Sequence, residues 1–351
     1  MAKIKVLIVD DSFFMRKLLR ELFVSYEHIE VVGDAKSGAE AVAAAKKLKP
    51  DVITMDYNMP GMNGAEATAE IMKGERPLPA IIMVSAATRE GAEETFKSLR
   101  AGAVDFVTKP SGEVSLDIEK VGAELAEKIR VVAGAHIERP KWIKREVEVK
   151  KVRERKEQAP QLVIIGSSTG GPPAVEDILS ALPGDLKIAI IVVQHMPEKF
   201  TKSFANRLNK VCAFNVDEAQ EGDVIHIGSC LVAPGNFHLE VVRQENGFER
   251  VVHLNQEAPM HGGLRPAIDI TMKSVVENFT GGILGIILTG MGRDGADGMA
   301  AIKERGGYTI VQSPETAVID SMPKAAIEQG AAREVVPLKE IAKRIMELSS
   351  K

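Results

Sequence analysis

Aromatic residues and cysteines are scarce in this sequence. Aromatics make up only 4% of the 351 residues, so we expect hydrophobic cores built from aliphatic side chains and methionine. The two cysteines, Cys212 and Cys230, lack the CxxC spacing that is typical of zinc sites and redox pairs. Both are therefore expected to be buried apolar thiols.

Long apolar runs and a basic excess are also lacking. No stretch of about 18 apolar residues is present that could form a transmembrane helix. The chain passes directly from its first residues into a strand-like run, unlike a signal peptide. The formal net charge is −4, which argues against a general nucleic-acid binder. We therefore expect a cytoplasmic protein that does not insert into membranes or bind nucleic acid.

The sequence does contain enough apolar material for more than one core. It is 45% hydrophobic and 27% charged, as expected for packed interiors with a solvated surface. Because domains average roughly 100 to 200 residues, a chain of 351 residues favours two domains.

The first half alternates strand-like and helix-like segments. Helical spacing follows each of the apolar runs that are typical of strands, which are 3–10, 30–33, 52–56, 80–85 and 104–108. This alternation predicts a parallel, doubly wound sheet.

Polar residues follow the predicted strands of this half. They are Asp10, Asp11, Asp56, Ser85 and Lys109, and the carboxyl ends of parallel strands border the crevice where ligands bind. A single aspartate in such a place is usually a helix N-cap, as we would read Asp11 alone. Three converging carboxylates repel one another unless a divalent cation lies among them, and oxygen ligands suit Mg²⁺. Together these residues favour a cation site.

These residues and their neighbours are similar to the receiver domain of response regulators, over residues 1–125. The resemblance is carried by the paired acids Asp10-Asp11, by Asp56 with the following Asn58-Met59-Pro60-Gly61, by Ser85-Ala86 and by Lys109-Pro110. It implies a flavodoxin-like (βα)5 fold and phosphorylation of Asp56 by a histidine kinase.

The resemblance also implies roles for the other residues of the pocket. Mg²⁺ would bind beside Asp10, held by Asp11, Asp56 and the backbone carbonyl of Asn58. Ser85 and Lys109 would contact the phosphoryl group, and Phe106 would be the aromatic switch residue. The charges are consistent with this, because Mg²⁺ and a lysine offset the roughly two negative charges of a phosphoryl group.

Residues 134–159 have mixed charges and weak apolar spacing, which is typical of a linker, and we assign the linker to 126–159. One interpretation is a solvated tether on which Trp142 and Ile143 dock locally. Another is a basic patch for an acidic partner.

The second half begins with an apolar run, 162–165, that leads into a turn of small residues. Gly166-Ser167-Ser168-Thr169-Gly170 has the form G-x-S-x-G, which raises a serine hydroxyl from a sharp strand-to-helix turn. Ser168 is therefore the candidate nucleophile. An ordinary glycine-rich turn, or a phosphate cradle at a helix N-terminus, is the alternative.

Two further residues follow predicted strands of this half. His195 comes after the apolar run 188–193, and Asp294 lies in a glycine-dense loop after 282–288. Read alone, His195 is a structural histidine and Asp294 a helix N-cap. Asp297 is a competing acid, but it lies inside the next predicted helix and should face away. We expect an antiparallel edge from 214–254, with a hairpin turn at Asn246-Gly247.

A serine nucleophile, a histidine base and an orienting carboxylate are the groups that acyl transfer requires. Ser168, His195 and Asp294 each follow a candidate parallel strand, so they should meet at one edge of the sheet. Their order is Ser, His, Asp, whereas α/β-hydrolases have Ser, Asp, His. This argues against the α/β-hydrolase fold.

The second half, over residues 160–351, resembles the chemotaxis protein-glutamate methylesterases. The resemblance is carried by four motifs, which are Gly-Ser-Ser-Thr-Gly-Gly at 166–171, Gln-His-Met-Pro at 194–197, Thr-Gly-Met-Gly-Arg-Asp-Gly at 289–295 and Met-Pro at 322–323. It implies that Ser168 is the nucleophile, His195 the general base and Asp294 its orienting acid. The amide of Met291 matches the family's oxyanion donor, and Thr169 N–H is a second candidate on geometric grounds. The match is looser over 261–269, so a substrate contact from that loop is in doubt.

The whole resemblance implies a phosphorylation-activated serine esterase. It would hydrolyse glutamyl methyl esters on chemoreceptors and deamidate receptor glutamines, with the histidine kinase CheA as phosphodonor and no cofactor for the esterase reaction. Two other classes stay open, which are a non-catalytic anion-binding module and a serine hydrolase with another substrate.

Overall fold

The computed structural model describes residues 2–86, 88–109, 115–134, 159–244, 249–260 and 263–350. The chain divides into two compact units, Met1–Pro140 and Lys141–Lys351. Pro110, Trp142, Ile143 and the turn Asn246-Gly247 lie outside the described residues, so the predictions about them stay predictions. No helix in the described ranges is long and apolar enough to cross a membrane.

The first unit is a five-stranded parallel sheet with the strand order β2-β1-β3-β4-β5. The strands are β1 (Ile4–Val9), β2 (Ile29–Ala35), β3 (Val52–Asp56), β4 (Ala80–Ser85) and β5 (Asp105–Thr108). The helices are α1 (Phe13–Val24), α2 (Gly38–Leu48), α3 (Gly64–Ile71), α4 (Arg89–Ala101) and α5 (Ser115–Val132). The predicted flavodoxin-like (βα)5 domain is confirmed.

Local sequence sets where these helices begin. Ser12, Ser37 and Thr88 each accept a backbone N–H as N-caps. Asn63 forms a capping box with Glu66. Helix α5 ends at Val132. The predicted limits of the receiver, the linker and the second domain stay predictions.

The second unit has a seven-stranded sheet with the order β14-β13-β12-β6-β7-β9-β8 and a separate two-stranded sheet, β10-β11. Its strands are β6 (Pro160–Ser167), β7 (Ala189–Gln194), β8 (Asn215–Glu218), β9 (Ser229–Val232), β10 (His238–Arg243), β11 (Arg250–Asn255), β12 (Gly282–Ile287), β13 (Tyr308–Gln312) and β14 (Glu334–Val336). Its helices are α6 (Gly171–Leu179), α7 (Phe200–Val211), α8 (Ile268–Asn278), α9 (Ala296–Glu304), α10 (Ser321–Glu328) and α11 (Leu338–Ser349), with a 3-10 turn at Pro314–Thr316.

The expectation of an antiparallel edge over 214–254 is only partly correct. Strands β8 and β9 join the main sheet in parallel, β9 beside β7 and β8 beside β9. Helix α7 separates β7 from β8, and such crossover connections produce parallel strands. Strands β10 and β11 pair with each other antiparallel, as predicted for this part of the segment.

The core of the second unit is aliphatic and rich in methionine. Met272, Met299 and Met322 are each at most 1% exposed and pack among valine, leucine and isoleucine. Both cysteines are free, and burial raises the pKa of Cys212 to about 11 and that of Cys230 well above its usual range. The prediction of a buried thiol is confirmed for Cys230, whereas Cys212 is only partly buried.

Candidate functional site

The first unit gathers acidic side chains at the carboxyl ends of its strands. Asp10 and Asp11 follow β1, Asp56 ends β3, and carboxylate oxygens from all three lie within 4.8 Å of one another. Lys109, which follows β5, places its Nζ atom 2.8 Å from Asp10 Oδ2 and 2.9 Å from Asp56 Oδ1. The predicted convergence of these four residues is present.

The charges in this pocket are only partly balanced. Burial, aided by the nearby Asp10 carboxylate, raises the pKa of Asp56 to about 6, although Lys109 opposes the rise. Burial also disfavours the charged form of Lys109, but Asp10 and Asp56 outweigh it and raise the pKa of the lysine. Three carboxylates crowded together in this way, two buried and one exposed, fit a hard divalent cation such as Mg²⁺.

The other predicted residues of the pocket have identifiable partners. Ser85 is buried and its hydroxyl donates to the carbonyl of Gly91 (3.0 Å). Phe106 is buried, and the side-chain amide of Asn58 donates to Glu94 (3.0 Å). Asp11 is exposed. It is not the N-cap of α1, because Ser12 caps that helix.

In the second unit, the candidate nucleophile and base directly follow two neighbouring strands. Strands β6 and β7 are parallel, and their last residues, Ser167 and Gln194, are paired. Ser168 and His195 come directly after this pair, one on each strand. The backbone N–H of His195 donates to the carbonyl of Ser167 (3.1 Å). Ser168 itself is half-buried.

His195 is hydrogen-bonded to the predicted acid. Its Nε2 atom lies 2.8 Å from Asp294 Oδ2, and both side chains are 6% exposed. A carboxylate only accepts hydrogen bonds, so Nε2 carries the hydrogen and Nδ1 is the acceptor atom of the neutral ring. Among the described residues, the buried Nδ1 has no hydrogen-bond partner. That atom is therefore available to accept a proton.

Asp294 also accepts backbone N–H groups at the start of a helix, but not of the helix whose N-cap it was predicted to be. Its Oδ2 accepts the N–H of Ile268 (2.7 Å) and its Oδ1 that of Asp269 (3.0 Å), at the start of α8. The N-cap of α9 is Gly295. Burial opposes ionisation, but the hydrogen bonds from His195 and these two amides outweigh it and lower the pKa of Asp294. Asp294 is therefore not the N-cap of α9, and its role as the orienting acid stays a prediction.

A second buried acid beside Asp294 was not predicted. Asp269 is 3% exposed and its Oδ1 accepts the N–H of Gly298 in α9 (2.7 Å). Burial, aided by the nearby Asp294 carboxylate, raises the pKa of Asp269. The start of α8 is thus hydrogen-bonded to Asp294, which lies just before α9, and α9 is hydrogen-bonded to Asp269 in the first turn of α8. The position of Asp269 near a helix start is the only sequence signal for this pair of contacts. The competing acid Asp297 instead contacts Lys273 (3.6 Å) and Gln329 (2.8 Å).

The loop after β12 packs directly against the nucleophile. The N–H of Ser168 donates to the carbonyl of Thr289 (3.0 Å). A Cβ atom added at Gly290 would lie 2.8 Å from Ser168 Cβ, so this position requires glycine. Met291, whose amide is a candidate oxyanion donor, is the next residue. The other candidate, Thr169, is buried and its carbonyl accepts the hydroxyl of Thr289 (2.9 Å).

Comparisons with known proteins match both units. The family model described as CheB methylesterase matches residues 163–345, and the response regulator receiver domain matches residues 6–118. The second of these covers the acidic pocket and the first covers all three candidate triad residues.

Full-length relatives share this organisation. A protein of Pyrococcus abyssi named protein-glutamate methylesterase/protein-glutamine glutaminase is 44% identical over 349 residues, which cover 98% of this chain and 93% of that protein. A Carboxydothermus hydrogenoformans protein, named protein-glutamate methylesterase/protein-glutamine glutaminase 2, is 45% identical and is covered to 99%, as is this chain.

A solved structure is similar to the second unit. The crystal structure of the Thermotoga maritima CheB methylesterase catalytic domain has 39% sequence identity and a TM-score of 0.52, and the match covers 54% of this chain and 98% of that one. The two domain matches in this order, and relatives that align over almost the entire length, lead to one assignment. The chain belongs to the family of protein-glutamate methylesterase/protein-glutamine glutaminases that carry a response regulator receiver domain.

Proposed function

We propose that this protein is a serine esterase that removes methyl groups from glutamyl side chains of chemotaxis receptors, and that it deamidates receptor glutamines at the same site. The observation that carries the proposal is the state of His195. Its Nε2 is held by Asp294 at 2.8 Å while its Nδ1 is unpartnered among the described residues, beside the strand end that presents Ser168.

The chemistry follows from these contacts. Ser168 Oγ attacks the ester carbonyl as His195 Nδ1 takes its proton, and the tetrahedral intermediate collapses when the proton is passed to the leaving methoxide, releasing methanol. Water then attacks the acyl-enzyme with His195 again as base, giving glutamate and free Ser168. A glutamine substrate differs only in releasing ammonia. The amides of Met291 and Thr169 are the proposed donors to the oxyanion.

The anionic form of Asp294 supports this cycle. When His195 becomes an imidazolium, its charge is stabilised by a carboxylate whose pKa is lowered by three donors. The same hydrogen bond fixes the ring tautomer, so that Nδ1 rather than Nε2 accepts the proton from Ser168.

In the receiver unit we propose that Asp56 accepts a phosphoryl group from the chemotaxis histidine kinase CheA. Asp11, Asp56 and the backbone carbonyl of Asn58 would hold Mg²⁺, which supplies positive charge to the developing phosphoryl group. Lys109 would form an ion pair with the phosphoryl oxygens, and Ser85 would hydrogen-bond to them. Phe106 would be the aromatic switch residue that responds to phosphorylation. A tenfold rise in esterase activity requires only about 1.4 kcal/mol of bias between two states.

Methanol release from methylated receptor membranes tests the proposal. It should depend on Ser168, be lost in Ser168→Ala, persist in Ser180→Ala at the exposed end of α6, and rise with Mg²⁺ plus a small phosphodonor. In Asp56→Asn the rise should disappear while Ser168-dependent release remains measurable.

Other outcomes favour the alternatives. A fluorophosphonate that fails to label Ser168 in the wild type would point to an anion-binding module. Rapid turnover of small acyl esters, without methanol release from receptors, would point to a serine hydrolase with another substrate.

A further inference from the structure

A buried glutamine connects the backbones of the proposed nucleophile and base. Gln194 is the last residue of β7 and is 2% exposed. Its Nε2 atom donates hydrogen bonds to the carbonyl of Ser168 (3.0 Å) and to that of His195 (3.1 Å). One side chain thus joins the two residues between which a proton must move.

The orientation of this amide is fixed by its partners. Carbonyl oxygens only accept hydrogen bonds, so the NH₂ group must face Ser168 and His195. On its other side, Oε1 accepts the hydroxyl of Ser167 (2.6 Å). Both donor hydrogens and the oxygen of Gln194 are therefore used, and turning the amide over would leave two carbonyls facing an oxygen.

The start of helix α6 is fitted closely to this amide. A Cβ atom at Gly171 would lie 2.1 Å from Gln194 Oε1, so only glycine leaves room for the amide there. The N–H of Gly171 donates to the carbonyl of Ser168 (2.7 Å), which therefore accepts two hydrogen bonds. The backbone of the nucleophile turn is held from the helix side and from β7 at once.

We propose that Gln194 is a positioning residue for the esterase reaction, and this inference rests on the proposed function. The register of β6 with β7 ends at Ser167 and Gln194, and beyond it the N–H of His195 still donates to the carbonyl of Ser167 (3.1 Å). The Gln194 side chain adds a link from β7 to the carbonyl of Ser168 itself. Proton transfer requires the heavy atoms to lie about 2.6 to 3.2 Å apart. By holding both carbonyls, Gln194 sets how Ser168 Oγ and the His195 ring meet.

The test substitutes an apolar side chain of similar length. Gln194→Met removes both donors, and it should slow fluorophosphonate labelling of Ser168 and the kcat for ester hydrolysis about 100-fold, the cost of a misplacement near 1 Å. KM should change little, because Gln194 is buried and does not touch substrate.

A buried threonine away from the site provides the control. Thr309 lies near the amino end of β13 and is fully buried. Its hydroxyl donates to the carbonyl of Ala331 (2.6 Å) and accepts the N–H of Arg333 (3.0 Å). Thr309→Val, which removes both hydrogen bonds, should lower the melting temperature as Gln194→Met does, yet change the labelling rate by no more than about twofold.

A double-mutant cycle separates positioning from general damage. In a His195→Ala background, Gln194→Met should cost no more than about twofold in labelling of Ser168, because there is no base left to align. Gln194→Glu, which preserves shape but replaces donors with acceptors, should behave like Gln194→Met.

Three results would overturn the inference. They are an equal loss in both backgrounds, an unaffected Gln194→Met enzyme, or a Thr309→Val enzyme slowed as much as Gln194→Met. A wild-type protein that does not label at Ser168 would instead contradict the proposed function.

Discussion

The two units each place a buried aspartate at the carboxyl edge of a parallel sheet, yet the two carboxyl groups differ in their tendency to ionise. Asp56 is 4% exposed and Asp294 is 7% exposed. The pKa of Asp56 is raised to about 6, whereas that of Asp294 is lowered. Burial alone therefore does not set the charge of an aspartate at a sheet edge.

The difference between the two pKa values comes from the hydrogen-bond and ion-pair partners of the carboxylate oxygens. Asp294 accepts two backbone N–H groups from the start of α8 and one hydrogen from His195, and each bond favours the anion. Asp56 accepts the N–H of Tyr57 (2.8 Å) and shares Lys109 with Asp10, so one lysine serves two carboxylates. The first arrangement suits a permanent counter-charge and the second suits a group whose charge and ligands change.

The largest expected effect comes from removing the permanent charge. In Asp294→Asn an amide replaces a carboxylate whose three partners are all donors. Whichever way the amide is turned, its NH₂ group faces at least one of these donors. By analogy with serine-protease triads, we expect kcat for methanol release to fall about 10⁴-fold.

The control for this substitution lies in the same segment. Asp297 contacts Lys273 and Gln329 rather than His195, so Asp297→Asn should retain activity within about threefold, as a surface change does. Comparable losses in both variants would contradict the assignment of Asp294 as the orienting acid.

The close packing behind Ser168 predicts the next largest effect. A Cβ at Gly290 would lie 2.8 Å from Ser168 Cβ and 2.2 Å from Met322 Sδ, so Gly290→Ala should displace the nucleophile and lower kcat/KM for ester hydrolysis about 100-fold. The flexible end of Met322 can move, but Ser168 Cβ cannot. Adding Met322→Ala should therefore not restore activity, and recovery in the double variant would show that the methionine contact was responsible.

The positions of the site residues were predictable because parallel strands align their carboxyl ends. Ser168, His195 and Asp56 follow or end strands that local apolar patterns identify, and the sheet topology then gathers them. The strand over 52–56 is confirmed as β3 at the same bounds. This part of the prediction needs only local sequence and a rule of topology.

The contacts that set charge and alignment were not predictable in this way. Asp294 accepts an N–H from a helix that begins 26 residues earlier, and Gln194 reaches the carbonyl of Ser168 across the sheet. Neither contact leaves a local pattern, because each depends on where two separate segments pack. Likewise β8 and β9 are too short for periodicity to show which edge they join.

The smallest expected effect concerns the changeable charge of Asp56 in the first unit. Its raised pKa means that the folded protein holds this proton up to about pH 6, and a proton competes with a cation for the carboxylate. Mg²⁺ affinity should therefore be constant well above pH 6 and fall by about tenfold one unit below it, as measured by calorimetry on the full chain. Asp51→Asn, at the exposed opposite end of β3, should show the same pH dependence. A Mg²⁺ affinity that did not change between pH 7.5 and 5 in either protein would place the cation away from Asp56.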